Sequence, residues 1–185
     1  LGGYWFLGVV LLICGISAWE FGRLYDHTTE FRIPLILLIL CVEVLILARW
    51  TFGIGASHRA MTFCIMSALV WGVVACEQGL PKPAISFAVL TTGMVYVGWL
   101  GGYMVSLEQL ESGTVKLLLV ISMTWASDIG AYLIGRMIGK HHMLPLVSPK
   151  KTWEGYVGGI VFSIGVAIAA ETFIPAIDTI LDIRQ

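Results

Sequence analysis

Six long stretches of nearly unbroken apolar residues alternate with short polar interruptions along the chain. A helix needs roughly 20 apolar residues to cross a hydrocarbon core of about 30 Å. At that length the pattern predicts spans at residues 1–19, 33–49, 60–76, 84–105, 116–138 and 156–177. The interruptions fall at 20–32, 50–59, 77–83, 106–115 and 139–155, the last being the longest and the densest in polar groups. No basic stretch precedes the first apolar segment and no small-residue cleavage site follows it, so it reads as a membrane helix and not as a signal peptide. No internal repeat, low-complexity tract or soluble domain interrupts the series. The expected fold is all-α, a polytopic transmembrane helical protein forming a single membrane domain over residues 1–185. The chain starts at Leu1, and its last apolar run nearly reaches Gln185, which sets the expectation of a piece of a longer protein.

Composition agrees. Apolar residues make up 58% of the chain and charged residues 12%, against roughly 45–50% and 25% in soluble domains. The formal net charge is -1 and no basic run exceeds two residues, which argues against nucleic acid as a partner and reduces any anion binding to a point site. Cys14, Cys41, Cys64 and Cys76 lie in or at the ends of apolar runs without metal-ligand spacing, and read as packing residues. Lysine and arginine mark the cytoplasmic side. Arg23, Arg32, Lys82, Arg136, Lys140, Lys150 and Lys151 share one side, and Arg49, Arg59, Lys116 and Arg184 the other, which makes 139–155 an expected cytoplasmic loop.

That loop carries SPKKTWEGYVGG, residues 148–159. Ser148 followed by Pro149 reads as a helix start, serine as cap and proline at the first helical position. Lys150 and Lys151 would then sit in the first turn, where the helix dipole disfavours each cation by roughly 0.3–1 kcal/mol. Free N–H groups, two ammonium groups and the hydroxyls of Ser148 and Thr152 would together receive a phosphate. Glu154 could pair with either lysine or help hold a metal. The lysines could equally be flanking charges that Glu154 neutralises.

Asp128 lies mid-way along the fifth span. A carboxylate there costs roughly 2.5–3.5 kcal/mol, so a partner, a water cavity or an ion is expected beside it. Helical spacing puts Thr124, Asp128, Tyr132 and Gly135 on one stripe, which would line a polar interior. Asp128 is either bonded to hydroxyls or Arg136, or is a ligand for Mg2+ or a catalytic or transport residue. Residues 135–141, GRMIGKH, approach a phosphate-binding P-loop but have three residues between the glycines and His where Ser or Thr should follow the lysine, so that motif is rejected. Gly135 and Gly139, like Gly155 and Gly159, have the spacing of close helix packing. Lys140, His141 and His142 stand at the helix mouth, where a cation could meet a nucleotide phosphate or a lipid headgroup. Glu43 and Glu171 are costly interior carboxylates without an identifiable partner, and Trp5, Trp50, Trp99, Tyr4 and Tyr103 read as interfacial anchors.

The block SDIGAY at 127–132, with Gly135-Arg136, Gly139-Lys140 and SPKKTWEG at 148–155, resembles the phosphatidate cytidylyltransferase (CDP-diacylglycerol synthase) family. The likeness is dense over 125–159 and weakly supported by Ala18-Trp19-Glu20. It implies a nucleotidyltransferase that moves CMP from CTP to phosphatidate, yields CDP-diacylglycerol and pyrophosphate, and requires Mg2+. By that resemblance Ser148, Lys151 and Thr152 meet substrate phosphate and Lys150 occupies a variable position. Asp128 becomes a candidate metal ligand or active-site residue, Lys140 a second phosphate contact, and Glu154 a further substrate-binding candidate. The implied setting is a prokaryotic inner membrane, with a homodimer as a candidate assembly. The family's downstream signature, H-G-G with an acidic D-R-x-D-like motif, has no counterpart in 167–185, where Asp178 and Asp182 flank Arg184 without that context. The segment alone is therefore expected to be inactive. Three other readings stand beside this one, the plainest being a noncatalytic membrane subunit. A CTP-dependent lipid or polyprenol kinase would use similar substrates, and an ion-coupled transporter could use Asp128, Glu43 and Glu171 as a path.

Overall fold

The structure is a computed structural model, and it describes residues 3–26 and 33–173. Six helical segments in it are long and apolar enough to cross a membrane: Tyr4–Tyr25, Leu35–Phe52, Ile54–Glu77, Pro83–Glu108, Gly113–Ile138 and Trp153–Thr172. The protein is thus an all-α, multi-pass membrane protein, with each expected span present. Arg32, Asp178, Asp182, Arg184 and the end of the sixth expected span lie outside the described residues. The chain divides into two compact units, Leu1–Glu111 and Ser112–Gln185.

The first unit contains α1 (Tyr4–Asp26), α2 (Leu35–Phe52), α3 (Ile54–Glu77) and a fourth span built in three pieces. Those pieces are α4 (Pro83–Gly93), a wide π-helical turn at Met94–Trp99, and α5 (Leu100–Glu108). The buried face of α2, Leu38, Val42, Leu45 and Ile46, meets Leu90, Met94 and Val105 in the core. Its other face exposes Ile36, Leu40, Val44 and Leu47, as suits a surface against lipid. The expected loop at 50–59 is absent. Gly53 alone separates α2 from α3, with φ 79° and its N–H bonded to Arg49 O at 2.9 Å. The polar residues around it stay helical because their hydroxyls find backbone carbonyls, Thr51 on Leu47 at 2.8 Å and Ser57 on Leu45 at 3.4 Å.

Arg49 is fully buried, and its three guanidinium nitrogens have no hydrogen-bond partner among the described residues. Its charge lies over the rings of Tyr103 at 4.2 Å and Trp99 at 5.7 Å. Two expected interfacial anchors therefore face a buried cation instead, while Tyr4 and Trp5 are exposed as expected. Cys14, Cys41 and Cys64 are buried and unpaired, as packing requires, whereas Cys76 is exposed.

The second unit is α6 (Gly113–Ile138), a hairpin of β1 (His142–Leu144) and β2 (Ser148–Thr152), and α7 (Trp153–Phe173). Antiparallel pairing sets His142 against Thr152 and Leu144 against Ser148, with an irregularity between them. The helix expected to begin at Pro149, with Ser148 as its cap, thus begins four residues later, at Trp153. Ser148-Pro149 satisfies a local helix-start pattern, but pairing with β1 holds the backbone extended, and a two-stranded sheet has only edges, where proline is tolerated. Lys150 and Lys151 consequently lie on a strand, and the expected conflict with the helix dipole does not arise.

Candidate active site

In the second unit α6 and α7 pack along their length because small residues face one another. A methyl group built on Gly155 would stand 2.7 Å from Ala131 O and 3.1 Å from Gly135 Cα. One built on Gly130 would stand 2.5 Å from the Phe162 ring, and one on Gly158 equally close to Ile134. The glycines are therefore packing residues, as their spacing suggests. This packing brings the end of α6 against the start of α7 and sets the base of the hairpin between them.

Thr152 occupies that base. It is buried, and its Oγ1 accepts the Gly155 N–H at 3.2 Å, capping α7. The hydroxyl also lies beside Gly135 and Gly139, where side chains of any size would strike it. Thr152, expected on substrate phosphate, is enclosed here and caps the helix start.

Glu154, in the first turn of α7, pairs with neither lysine. Its Oε1 lies 2.6 Å from His141 Nδ1, and both carboxylate oxygens accept the His141 backbone N–H at 3.3 Å. The Trp153 N–H bonds in turn to His141 O at 3.0 Å. These contacts tie the strand-side end of the hairpin to α7, and a carboxylate in a first helical turn also suits the positive end of the dipole.

Lys140, Lys150 and Lys151 are exposed, and no ion pair engages them among the described residues. Ser148 is half-buried, at the start of β2. The hairpin therefore offers three free ammonium groups beside the ends of two membrane-crossing helices.

Asp128 is exposed on α6 and has no hydrogen bond or ion pair among the described residues. Its alternative reading, a carboxylate bonded to Arg136, is not what the structure shows: Arg136 Nη1 donates to Tyr132 Oη at 3.0 Å. The exposed stripe runs Thr124, Asp128, Tyr132, Arg136, since Gly135 turns toward α7. The structure does not bring Asp128 to the hairpin, for ten residues of α6, about 15 Å of helix rise, separate it from Ile138. Arg136, expected as a cytoplasmic-side charge and a possible partner for Asp128, lies between the two. The Tyr132–Arg136 spacing of one helical turn was the available signal.

Glu171 is exposed near the end of α7, and Glu43 lies against Gly15 in an apolar groove of α1 and α2, with no hydrogen bond or ion pair among the described residues. Among the described residues no three His, Cys, Asp or Glu side chains gather to hold a metal. Mg2+ is commonly bound by one or two carboxylates, with substrate phosphates and water completing its shell. Asp128 fits that role as a single protein ligand, and the donor set does not fit an all-protein cage.

Comparison with known proteins places the sequence in a family. Phosphatidate cytidylyltransferases of Staphylococcus epidermidis and of Staphylococcus aureus strain COL are each 34% identical over 116 residues, covering 62% of this chain and 41% of the relative. That of Staphylococcus saprophyticus is 33% identical over the same length. The match thus spans about two fifths of the length of these curated relatives. The model of the cytidylyltransferase family matches residues 1–181, nearly the whole chain, and the chain belongs to that family.

Proposed function

We propose that this chain forms part of a phosphatidate cytidylyltransferase, which transfers CMP from CTP to phosphatidate and yields CDP-diacylglycerol and pyrophosphate for phospholipid synthesis. The observation that carries this reading is the SPKKT strand, hung between two membrane-crossing helices with its lysines exposed and unpaired. A receptor for phosphate thereby stands where a water-soluble nucleotide and a membrane lipid can both arrive.

In the reaction a phosphatidate phosphate oxygen attacks the α-phosphorus of CTP. The bond from that phosphorus to the bridging oxygen breaks, and pyrophosphate leaves with the electron pair. Lys151 is placed on the charge that develops on the phosphoryl oxygens, the largest single contribution such groups make. Lys140 and Ser148 hold the remaining phosphate oxygens, and Arg136 is added to them as a cation on the stripe toward Asp128. Thr152 and Glu154 act by holding the hairpin in place. Asp128 would hold Mg2+ about 15 Å of helix away from the hairpin, so the ion, when bound, would neutralise charge only on the part of the substrate that reaches along the Arg136 stripe. The distribution of lysine and arginine supports a cytoplasmic hairpin, and the bacterial relatives support a prokaryotic plasma membrane.

The test is CDP-diacylglycerol formation by the full-length protein in proteoliposomes containing phosphatidate and supplied with CTP. Formation should fall by about a hundredfold to a thousandfold in Lys151→Ala and change little in Lys150→Ala. A product of phospholipid plus CDP would establish a kinase instead, and ion flux without CTP consumption a transporter.

A further inference from the structure

The hairpin ends in an apolar turn. The Val147 N–H bonds to Leu144 O at 3.2 Å, closing a four-residue turn with Pro145 second and Leu146 third. Leu146 is 101% exposed, Val147 81% and Leu144 48%. Between this tip and the hairpin's base the charge is positive: Lys150 is exposed on β2, Lys151 and Lys140 are exposed beside the Thr152 base, and the carboxylate of Glu154 there is engaged by His141. Trp153 and Tyr156, both exposed, set their rings edge-on at 6.1 Å in the first turn of α7. An apolar wedge flanked by cations and by aromatic residues at a helix end has the composition of a segment that enters a lipid interface.

We propose that the tip at 144–147 dips into the headgroup region of an anionic lipid leaflet, with Lys150 on lipid phosphate. Residues 139–152 join two membrane-crossing helices directly, so the hairpin cannot leave the membrane surface. The Thr152 base, packed on Gly135 and Gly139, fixes where it emerges. The cations decide for lipid over a protein groove: a groove for three apolar side chains needs no surrounding lysines, whereas an anionic leaflet attracts each of them. This assignment is independent of the reaction catalysed. It gives Lys150 a use distinct from that of Lys151.

The test places a nitroxide at residue 146 in the full-length protein, as L146C with the exposed Cys76 replaced by serine, in vesicles of phosphatidylglycerol and phosphatidylethanolamine. The label should collide with dissolved oxygen and be shielded from a water-soluble nickel chelate, and the shielding should decline in phosphatidylcholine vesicles and in the Lys150→Ala variant. A label open to the chelate would put the tip in water. One closed to both reagents would put it under protein, whether another segment or a second copy. Equal shielding in both lipid mixtures would remove the anionic leaflet. Each of those three results overturns the proposal. A control label on Ile164 of the membrane-crossing helix α7, exposed in this structure, reports whether the variant has folded and inserted.

Discussion

Glu154 holds His141 across the open end of the hairpin, with 2.6 Å between Oε1 and the ring Nδ1 and the same carboxylate on the His141 N–H. The histidine side chain is 79% exposed and the glutamate 23%. One residue of α7 thereby fixes the start of β1, and with it the direction in which the lysines are presented.

Removing that grip should free the hairpin without unfolding α7. Glu154→Ala is expected to raise amide hydrogen exchange at His141 and Trp153 and to lower the proposed CMP transfer of the full-length protein by up to about a hundredfold, the cost of a small misplacement of groups that position substrate. Glu154→Gln, which keeps an acceptor for the backbone N–H, should fall between. Unchanged exchange in the alanine variant would show that the carboxylate does not hold the strand.

Thr152 separates a cap from a substrate contact. Thr152→Ala and Thr152→Val should each lower stability by about 1 kcal/mol, the usual worth of a helix cap, and Thr152→Ser should restore it. Thermal unfolding of the purified protein reads the series. Equal stability of Val and Ser variants would exclude capping as the role of the hydroxyl.

The contact between α6 and α7 has a matched control within one helix. Gly158→Ala and Gly130→Ala force a methyl to within 2.5 Å of Ile134 or Phe162, and overpacking of that kind costs about 1–3 kcal/mol. At Gly165 a methyl would meet nothing within 4 Å, so Gly165→Ala should be neutral or gain up to about 1 kcal/mol from helix propensity. The ordering of the three unfolding temperatures is the measurement.

Arg49 contributes a cation over two aromatic rings, worth about 2 kcal/mol when desolvated, yet leaves three buried nitrogens without partners. Each buried unsatisfied donor costs about 1–3 kcal/mol. Arg49→Met, which keeps the length and removes the donors, is expected to unfold at or above the temperature of the parent. A clear drop would reveal that the guanidinium has a partner in the membrane.

The sequence by itself determined the number of membrane spans and their places, because crossing a bilayer depends on the length of an apolar run, a property of one segment alone. It also marked Asp128 and the SPKKT lysines, since polar groups in such surroundings are costly enough to need a reason. Tertiary structure decided the rest. Ser148-Pro149 is as good a helix start as Thr152-Trp153 locally, and only pairing with β1 selects the later one. Polar residues around Gly53 resemble a loop until their hydroxyls find carbonyls within the helices. Glu154 had two lysines within a helical turn in sequence and pairs with His141, thirteen positions away. In each case the outcome rests on a choice between competing partners, and residue order leaves open which of them the fold brings within a hydrogen bond's reach.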